Sequence, residues 1–190
     1  VPVTPRSGYA VEINALWYNA VCYMLELAEE AKDNAFIQEW QDMPELIRKS
    51  FVETFWNDEK GYLADYADEK GQNLDVRPNQ VFACSLTYSP ITDDMKERVL
   101  KVVTRELLTP KGLRTLSPKN PKYRGHYEGN QEERDNAYHQ GTVWPWLIGA
   151  YIEANLKLYG KQFLPEAKEL LDGYEEDMTL YGLCSIAEVY

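Results

Sequence analysis

The sequence is poor in the residues on which most catalytic and targeting machinery depends. Its three cysteines, Cys22, Cys84 and Cys184, lie far apart with no metal-type pairing. That pattern reads as reduced, mostly buried thiols in a cytoplasmic protein. Two histidines, His126 and His139, are too few for a His-rich metal site. No apolar run approaches the ~18 residues of a membrane-spanning helix. No secretory leader opens the chain, and Val1 in place of a starting Met reads as a cut or processed end. Basic charge is in deficit: 20 Lys and Arg against 31 Asp and Glu give a net charge of −11. This argues against a nucleic-acid or anionic-membrane surface, which needs a basic patch. Also missing are a Gly-x-Ser-x-Gly elbow, a phosphate loop, a Gly-x-Gly-x-x-Gly turn and a His-Glu-x-x-His helix, which sets aside the chemistries they serve.

What remains is an ordinary globular composition, 44% hydrophobic and 27% charged over 190 residues, enough for one domain with a substantial core. Apolar periodicity predicts six helices. The first runs from about Tyr9 to Lys32, with a buried face broad enough to pack on two sides. The second runs from about Met43 to Asn57, with Asp42 as N-cap and Pro44 in its first turn. Tyr62 to Val76 reads as two short extended segments around Asp68-Glu69-Lys70-Gly71. Arg77-Pro78-Asn79-Gln80 opens a third helix of about ten residues. Thr92 caps the fourth, whose first turn holds Asp93 and Asp94 at the positive end of the dipole. The fifth spans about Thr142 to Tyr159, and the sixth about Gln162 to Met178. The chain ends in an apolar stretch that looks cut within a packed region.

Between the fourth and fifth helices lies a stretch of about thirty residues from Thr109, rich in Gly, Pro, Tyr, Arg and Asn and without helical or strand period. So long a loop inside a compact domain is uncommon and usually functional or disordered; its aromatics argue against disorder. Irregular polar-aromatic loops also precede the first and third helices. If successive helices run up and down, the three loops share one end of the scaffold. Arg6, Arg77, Asn79, Tyr138, His139 and Trp144 would then converge there.

Carboxylates amid aromatic and amide groups are the parts of a sugar site. Sugar rings stack on Trp and Tyr, hydroxyls pair with Asp, Asn, Gln and Arg, and cleavage needs two carboxyls flanking the bond. Each candidate also has a structural reading. Glu12 is either a first-turn dipole partner or a site residue, and Asp135 is either an ion-pair anchor or a ligand contact. His139 is either a hydrogen-bonded scaffold residue or part of the site, and Trp17 is either core or site. Glu188, flanked by apolar residues, is either an exposed end or a buried functional carboxyl. Of Trp144 and Trp146, one is expected to face the site and the other the core.

Four long motifs occur in order: Thr4-Pro5-Arg6-x-Gly8-x-x-Val11-Glu12-Ile13-Asn14-Ala15-Leu16-Trp17-Tyr18-Asn19-Ala20; Arg77-Pro78-Asn79-Gln80-x-Phe82-Ala83; Gly112-Leu113-Arg114-Thr115-Leu116-Ser117-Pro118; and Arg134-Asp135-x-Ala137-Tyr138-His139-Gln140-Gly141-Thr142-Val143-Trp144-Pro145-Trp146. Ser185-Ile186-Ala187-Glu188 closes the series. Together they resemble the glycogen debranching enzyme (amylo-α-1,6-glucosidase) family over almost the whole chain. The resemblance implies an all-α (α/α)6 toroid. Residues 1–190 would be roughly its second half, truncated at both ends. It implies hydrolysis of the α-1,6 glucosidic stub of glycogen or limit dextrin, with inversion and no metal or other cofactor. Glu188 maps onto the family's general base. The general acid, an Asp in a Trp-Met-Asp-Ala motif upstream of Thr4-Pro5-Arg6, is absent, so this chain alone is expected to be inactive. Arg6, Glu12, Trp17, Arg77, Asn79, Gln80, Tyr127, Arg134, Asp135, Tyr138, His139, Gln140 and Trp144 are the implied substrate contacts. The departures, Tyr88-Ser89-Pro90 and Leu183-Cys184, touch no residue assigned to chemistry. Two other readings stand beside this one: another (α/α)6 glycosidase of glucoamylase, trehalase or mannosidase type, and a non-catalytic carbohydrate-binding module. Half a toroid would expose an apolar cut, so self-association is a further expectation.

Overall fold

A computed structural model describes residues 3–180 and 182–190. Helix α1 (Val11–Ala31) buries Val11, Ala15, Val21 and Ala28, the inner face that its periodicity demands. Lys32 ends it in a left-handed conformation, donating its amide to the carbonyls of Ala28 and Glu29. A short helix, α2 (Asn34–Trp40), was not anticipated. It buries no side chain; Asp33 nucleates it by accepting from the Phe36 amide, and Phe36 stacks on Trp40. Helix α3 (Met43–Phe55) starts as expected with Pro44 in its first turn, but Asp42 is itself helical and makes no capping bond.

Two hairpins follow. Strands β2 (Trp56–Asn57) and β3 (Tyr62–Leu63) form the first. Strands β4 (Tyr66–Asp68) and β5 (Gly71–Asn73) form the second, around the turn read from sequence. The segment before α1 contributes a strand to this hairpin, named β1 (Tyr9–Ala10), paired antiparallel to β4 with Tyr9 opposite Ala67. Gly8 makes the approach possible: its φ is +82°, and a Cβ there would run into the Ala67 carbonyl. The expectation of an all-α chain is therefore modified by short strands in three small sheets.

A 3-10 turn, Pro78–Gln80, runs into helix α4 (Val81–Ser85), giving eight helical residues where about ten were expected. Helix α5 (Asp93–Glu106) begins where its cap predicts, with the Thr92 hydroxyl accepting from the Met95 amide. Strands β6 (Leu108–Thr109) and β7 (Gly112–Arg114) turn through Pro110-Lys111. Strand β8 (Val143–Trp144) pairs with β7 and so folds the long loop back on itself. Within the loop, helix α6 (Gln131–Ala137) forms on a full capping box between Asn130 and Glu133. Helix α7 (Leu147–Tyr159) starts later than its apolar run suggests, because Pro145 biases the residue before it toward extended backbone. The expected sixth helix is divided into α8 (Leu164–Asp172) and flanking 3-10 turns.

Helix α4 lies between α1, α5 and α7. The core gathers there around Ala15, Phe55, Val81, Cys84, Val103 and Tyr151. All three cysteines are free, but only Cys84 is buried; Cys184 is exposed. Among the described residues no helix is long and apolar enough to cross a membrane.

Candidate active site

A cavity of about 320 Å³ opens where the segment before β1, the Pro78 turn and the β8–α7 junction meet. Its walls include Arg6, Arg77, Asn79, His139, Trp144 and Trp146. Five of the six residues expected to converge thus line one cavity. The sixth, Tyr138, packs against it, with ring centroids 4.8 Å from His139 and 4.7 Å from Trp144. Trp144 both lines the cavity and packs on the core, whereas Trp146 is 58% exposed and stacks on Phe82. Neither tryptophan is therefore given over to the core alone. Pro145 turns the chain between them so that both rings face the same space.

Two arginines form the charged floor, and the protein itself uses most of their donors. Arg6 donates Nε to Asp65 Oδ2 at 2.7 Å and Nη2 to the Asp65 carbonyl at 2.8 Å. It also forks onto Glu12, Nη1 to Oε1 at 2.5 Å and Nη2 to Oε2 at 2.7 Å. Four of the five N–H groups of a guanidinium are thereby engaged. Burial works against the Arg6 charge, but the hydrogen bond to Glu12 and the charges of Asp65 and Glu12 outweigh it and raise its pKa. Arg77 is a clasp. Nη1 donates to the carbonyls of Thr115 (3.1 Å) and His139 (2.6 Å), and Nη2 to Gln140 Oε1 (2.7 Å). Nε lies 3.9 Å from Asp65 Oδ2. The long loop is thus tied to the 3-10 turn through one side chain. Burial lowers the pKa of Arg77 despite Asp65 and Asp75 nearby.

Asp65 was not singled out in the sequence. Its side chain is 1% exposed, one of its oxygens faces both arginines, and the other, Oδ1, is buried without a partner among the described residues. Burial raises its pKa from 3.8 to about 6, against the opposing charges of Arg6 and Arg77. The only sequence signal was its place between two short strands, which carries no hint of burial.

An aromatic wall continues from the cavity. His139 stacks on Trp144 at 5.4 Å and 12°, Trp144 Nε1 donates to the Tyr138 carbonyl at 3.0 Å, and Tyr127 tilts onto Tyr138 at 5.5 Å. Partial burial, helped by the Arg77 charge, lowers the His139 pKa, which leaves its ring neutral at pH 7. At the edge of this wall the Tyr138 hydroxyl donates to Glu188 Oε1 at 2.9 Å. That bond to a carboxylate raises the tyrosine's pKa. Glu188 arrives there because the Val143 and Tyr190 backbones exchange both hydrogen bonds, at 3.1 and 3.0 Å, so the C-terminal segment lies along β8.

The other expected contacts lie elsewhere. Trp17 stands on the outer side of α1, edge-on to Trp40 at 6.2 Å, and lines a separate groove with Tyr9 and Leu46. Gln80 is buried, with its amide spent on the Leu63 nitrogen and the Arg77 carbonyl. Gln140 is buried beneath the loop as the acceptor for Arg77. Arg134 bonds the Gly129 carbonyl within its own turn at 2.5 Å, and exposed Asp135 accepts from Gln131 at 2.7 Å. Among the described residues no group of His, Cys, Asp and Glu could hold a metal ion.

The family model described as amylo-alpha-1,6-glucosidase matches residues 1–190. The glycogen debranching enzyme of Saccharomyces cerevisiae is 28% identical over 194 residues, covering 81% of this chain and 12% of that protein. Two solved structures share the fold. One is the GH63 mannosylglycerate hydrolase from Thermus thermophilus, with a TM-score of 0.68 at 14% identity, covering 95% of this chain and 39% of the other. The other is the neutral trehalase from Saccharomyces cerevisiae, with a TM-score of 0.69 at 16% identity, covering 95% and 33%. The chain therefore spans about an eighth of the yeast debranching enzyme and a third to two-fifths of the two structures.

Proposed function

The chain belongs to the amylo-alpha-1,6-glucosidase family, and on that premise we propose that it forms one wall of a glycoside hydrolase pocket. The pocket would remove α-1,6-linked glucose stubs from a branched α-glucan such as glycogen or limit dextrin, in the cytoplasm. The observation that carries this reading is the seating of Glu188 at the edge of the aromatic wall, held by the Tyr138 hydroxyl. In this reading the Glu188 carboxylate takes a proton from a water that attacks the anomeric carbon. The glycosidic oxygen receives its proton from an acid outside residues 1–190. Inversion requires about 6.5–9.5 Å between the two carboxyls, room for that water. Trp144 and His139 offer stacking surface for the sugar ring. Asn79, whose side chain makes no hydrogen bond to the protein among the described residues, is placed to meet its hydroxyls.

We also propose that α1 packs against further helices of a complete (α/α)6 toroid. Ile13, Leu16, Trp17, Tyr23, Met24 and Leu27 stand between 37% and 60% exposed on its outer face. An apolar stripe of that length fits a helix covered on both sides.

The test is Glu188→Gln in the native polypeptide that carries this chain, with glucose released from an α-1,6-branched dextrin as the readout. Turnover should fall by about 10²–10⁴-fold, and the wild type should release β-glucose first. Near-normal turnover would remove Glu188 from the role of base. The fold shared with a mannosylglycerate hydrolase and a trehalase favours a second reading, in which the pocket takes another sugar. Faster release from mannosylglycerate or trehalose than from the branched glucan would favour it.

A further inference from the structure

Outside the cavity lining, the Pro110-Lys111 turn between β6 and β7 reaches the C-terminal region. Lys111 Nζ donates to the Gly173 carbonyl at 2.6 Å and to Asp177 Oδ2 at 2.5 Å. The same ammonium sits 5.5 Å from the centroid of the Tyr190 ring and 5.8 Å from that of Tyr174. One cation thus joins the end of α8, the 3-10 turn after it and the segment that carries Glu188. The bond from Lys111 lowers the Asp177 pKa, so the ammonium meets a carboxylate at neutral pH. Tyr174 is 4% exposed, so the cage has a firm back wall. Two residues before Tyr190 stands Glu188; besides the cage, its segment is held by the Tyr138 hydroxyl, the backbone exchange with Val143, the Cys184 amide on the Met178 carbonyl and the packing of Tyr190 against the core.

We propose that Lys111 is a positioning residue, whose cage around Tyr190 seats the Glu188 segment against β8 and so aims the carboxylate. The proposal rests on the reading of Glu188 as the base. Pairing to an edge strand through one residue pair adds only two backbone bonds against the ordering of the residues around them, so the register of the segment on β8 depends on how the Tyr190 ring is held. A cation held between two aromatic faces adds an attraction of the same order as those two bonds together. Without it the segment would separate from β8 far more often.

The experiment pairs Lys111→Met and Lys111→Arg with Glu188→Gln in the native polypeptide. It measures kcat and KM on the branched dextrin and hydrogen exchange at the Val143 and Tyr190 amides. Lys111→Met is expected to lower kcat by about 10- to 100-fold, the size of effect that a displacement near 1 Å produces. KM should stay within about twofold, since Lys111 does not line the cavity. Exchange at both amides should accelerate about tenfold or more, and Lys111→Arg, which keeps a cation over the rings, should restore both readouts. If Lys111→Met keeps normal kcat while Glu188→Gln is inactive, the proposal fails and the function stands. If Glu188→Gln is active, the assignment of the base fails and the exchange data alone decide the seating. Unchanged exchange in Lys111→Met overturns the proposal in either case, as does Lys111→Arg failing to restore it.

Discussion

Replacing Arg77 removes the clasp by which the long loop is mounted, and the size of the effect follows from its partners. Its guanidinium serves three acceptors: the carbonyls of Thr115 and His139 and the side-chain oxygen of Gln140. His139 is exposed, so its carbonyl regains water when the arginine is gone. Thr115 and Gln140 are 7% and 8% exposed, and their oxygens do not. Two buried acceptors left unsatisfied cost about 1–3 kcal/mol each. Asp65 keeps Arg6 at 2.7 Å, so its charge is not abandoned. Arg77→Ala should therefore destabilise the protein by about 2–6 kcal/mol, the sum for the two acceptors. Arg77→Lys should recover less than half of this, because an ammonium cannot span carbonyls on two sides and an amide in one plane. Urea unfolding gives the stability. Hydrogen exchange at the Arg124 amide, which donates to the Gln140 carbonyl at 2.6 Å, reports whether the loop has lifted. If Arg77→Lys stays within about 0.5 kcal/mol of the wild type with exchange at Arg124 unchanged, the clasp argument is refuted.

The carboxyl of Asp65 makes stability depend on pH in an unusual direction. Between pH 3.8 and about 6 the native state holds its proton more firmly than the unfolded chain. The contribution is thus fully present below pH 4 and lost as pH rises through 6. The full change is about 3 kcal/mol; Asp65→Asn should flatten that part of the curve in urea titrations, and an unaltered slope would contradict the burial argument. Gly141 occupies φ +147°, and a Cβ there would lie 2.5 Å from the Arg124 carbonyl. Gly141→Ala should cost at least about 2 kcal/mol from backbone strain and overlap together, read as a lowered unfolding midpoint, whereas Gly71→Ala, whose added Cβ would meet nothing within 4 Å, should carry the backbone part alone.

Much of the scaffold was legible because its determinants are local. Thr92, two aspartates in the first turn and an apolar repeat suffice to start and orient α5. The second hairpin turns at Glu69-Lys70, within the polar run that its sequence marks. Helix α7 began late for an equally local reason, Pro145. Helix α2 escaped notice because it is seven residues long, so Phe36, Ile37 and Trp40 share a face over barely two turns, too few for a period to stand out. The convergence of Arg6, Arg77, Asn79, His139 and Trp144 was expected from alternating directions of six helices, but α2 and α6 add to that count, so helix parity does not account for it; the pairs Arg6–Asp65 and Arg77–His139 show which contacts bring the segments together.

What the sequence by itself determined, then, was the inventory: the main helices with their periods, and the motif residues. Tertiary structure decided how those residues are used. Asp65 is buried beneath Arg6, 59 positions away, and beside Arg77, which the fold brings to it. Arg77 is a clasp only because the loop returns 62 residues later to offer it the His139 carbonyl. Trp17, inside the most recognisable motif of the chain, faces away from the cavity because α1 turns its other side to the core. Glu188 reaches Tyr138, 50 residues back, through strand pairing at Val143 that its own sequence does not encode. Burial, charge pairing and strand addition depend on which groups meet across the fold, and a chain read one residue at a time does not contain those distances.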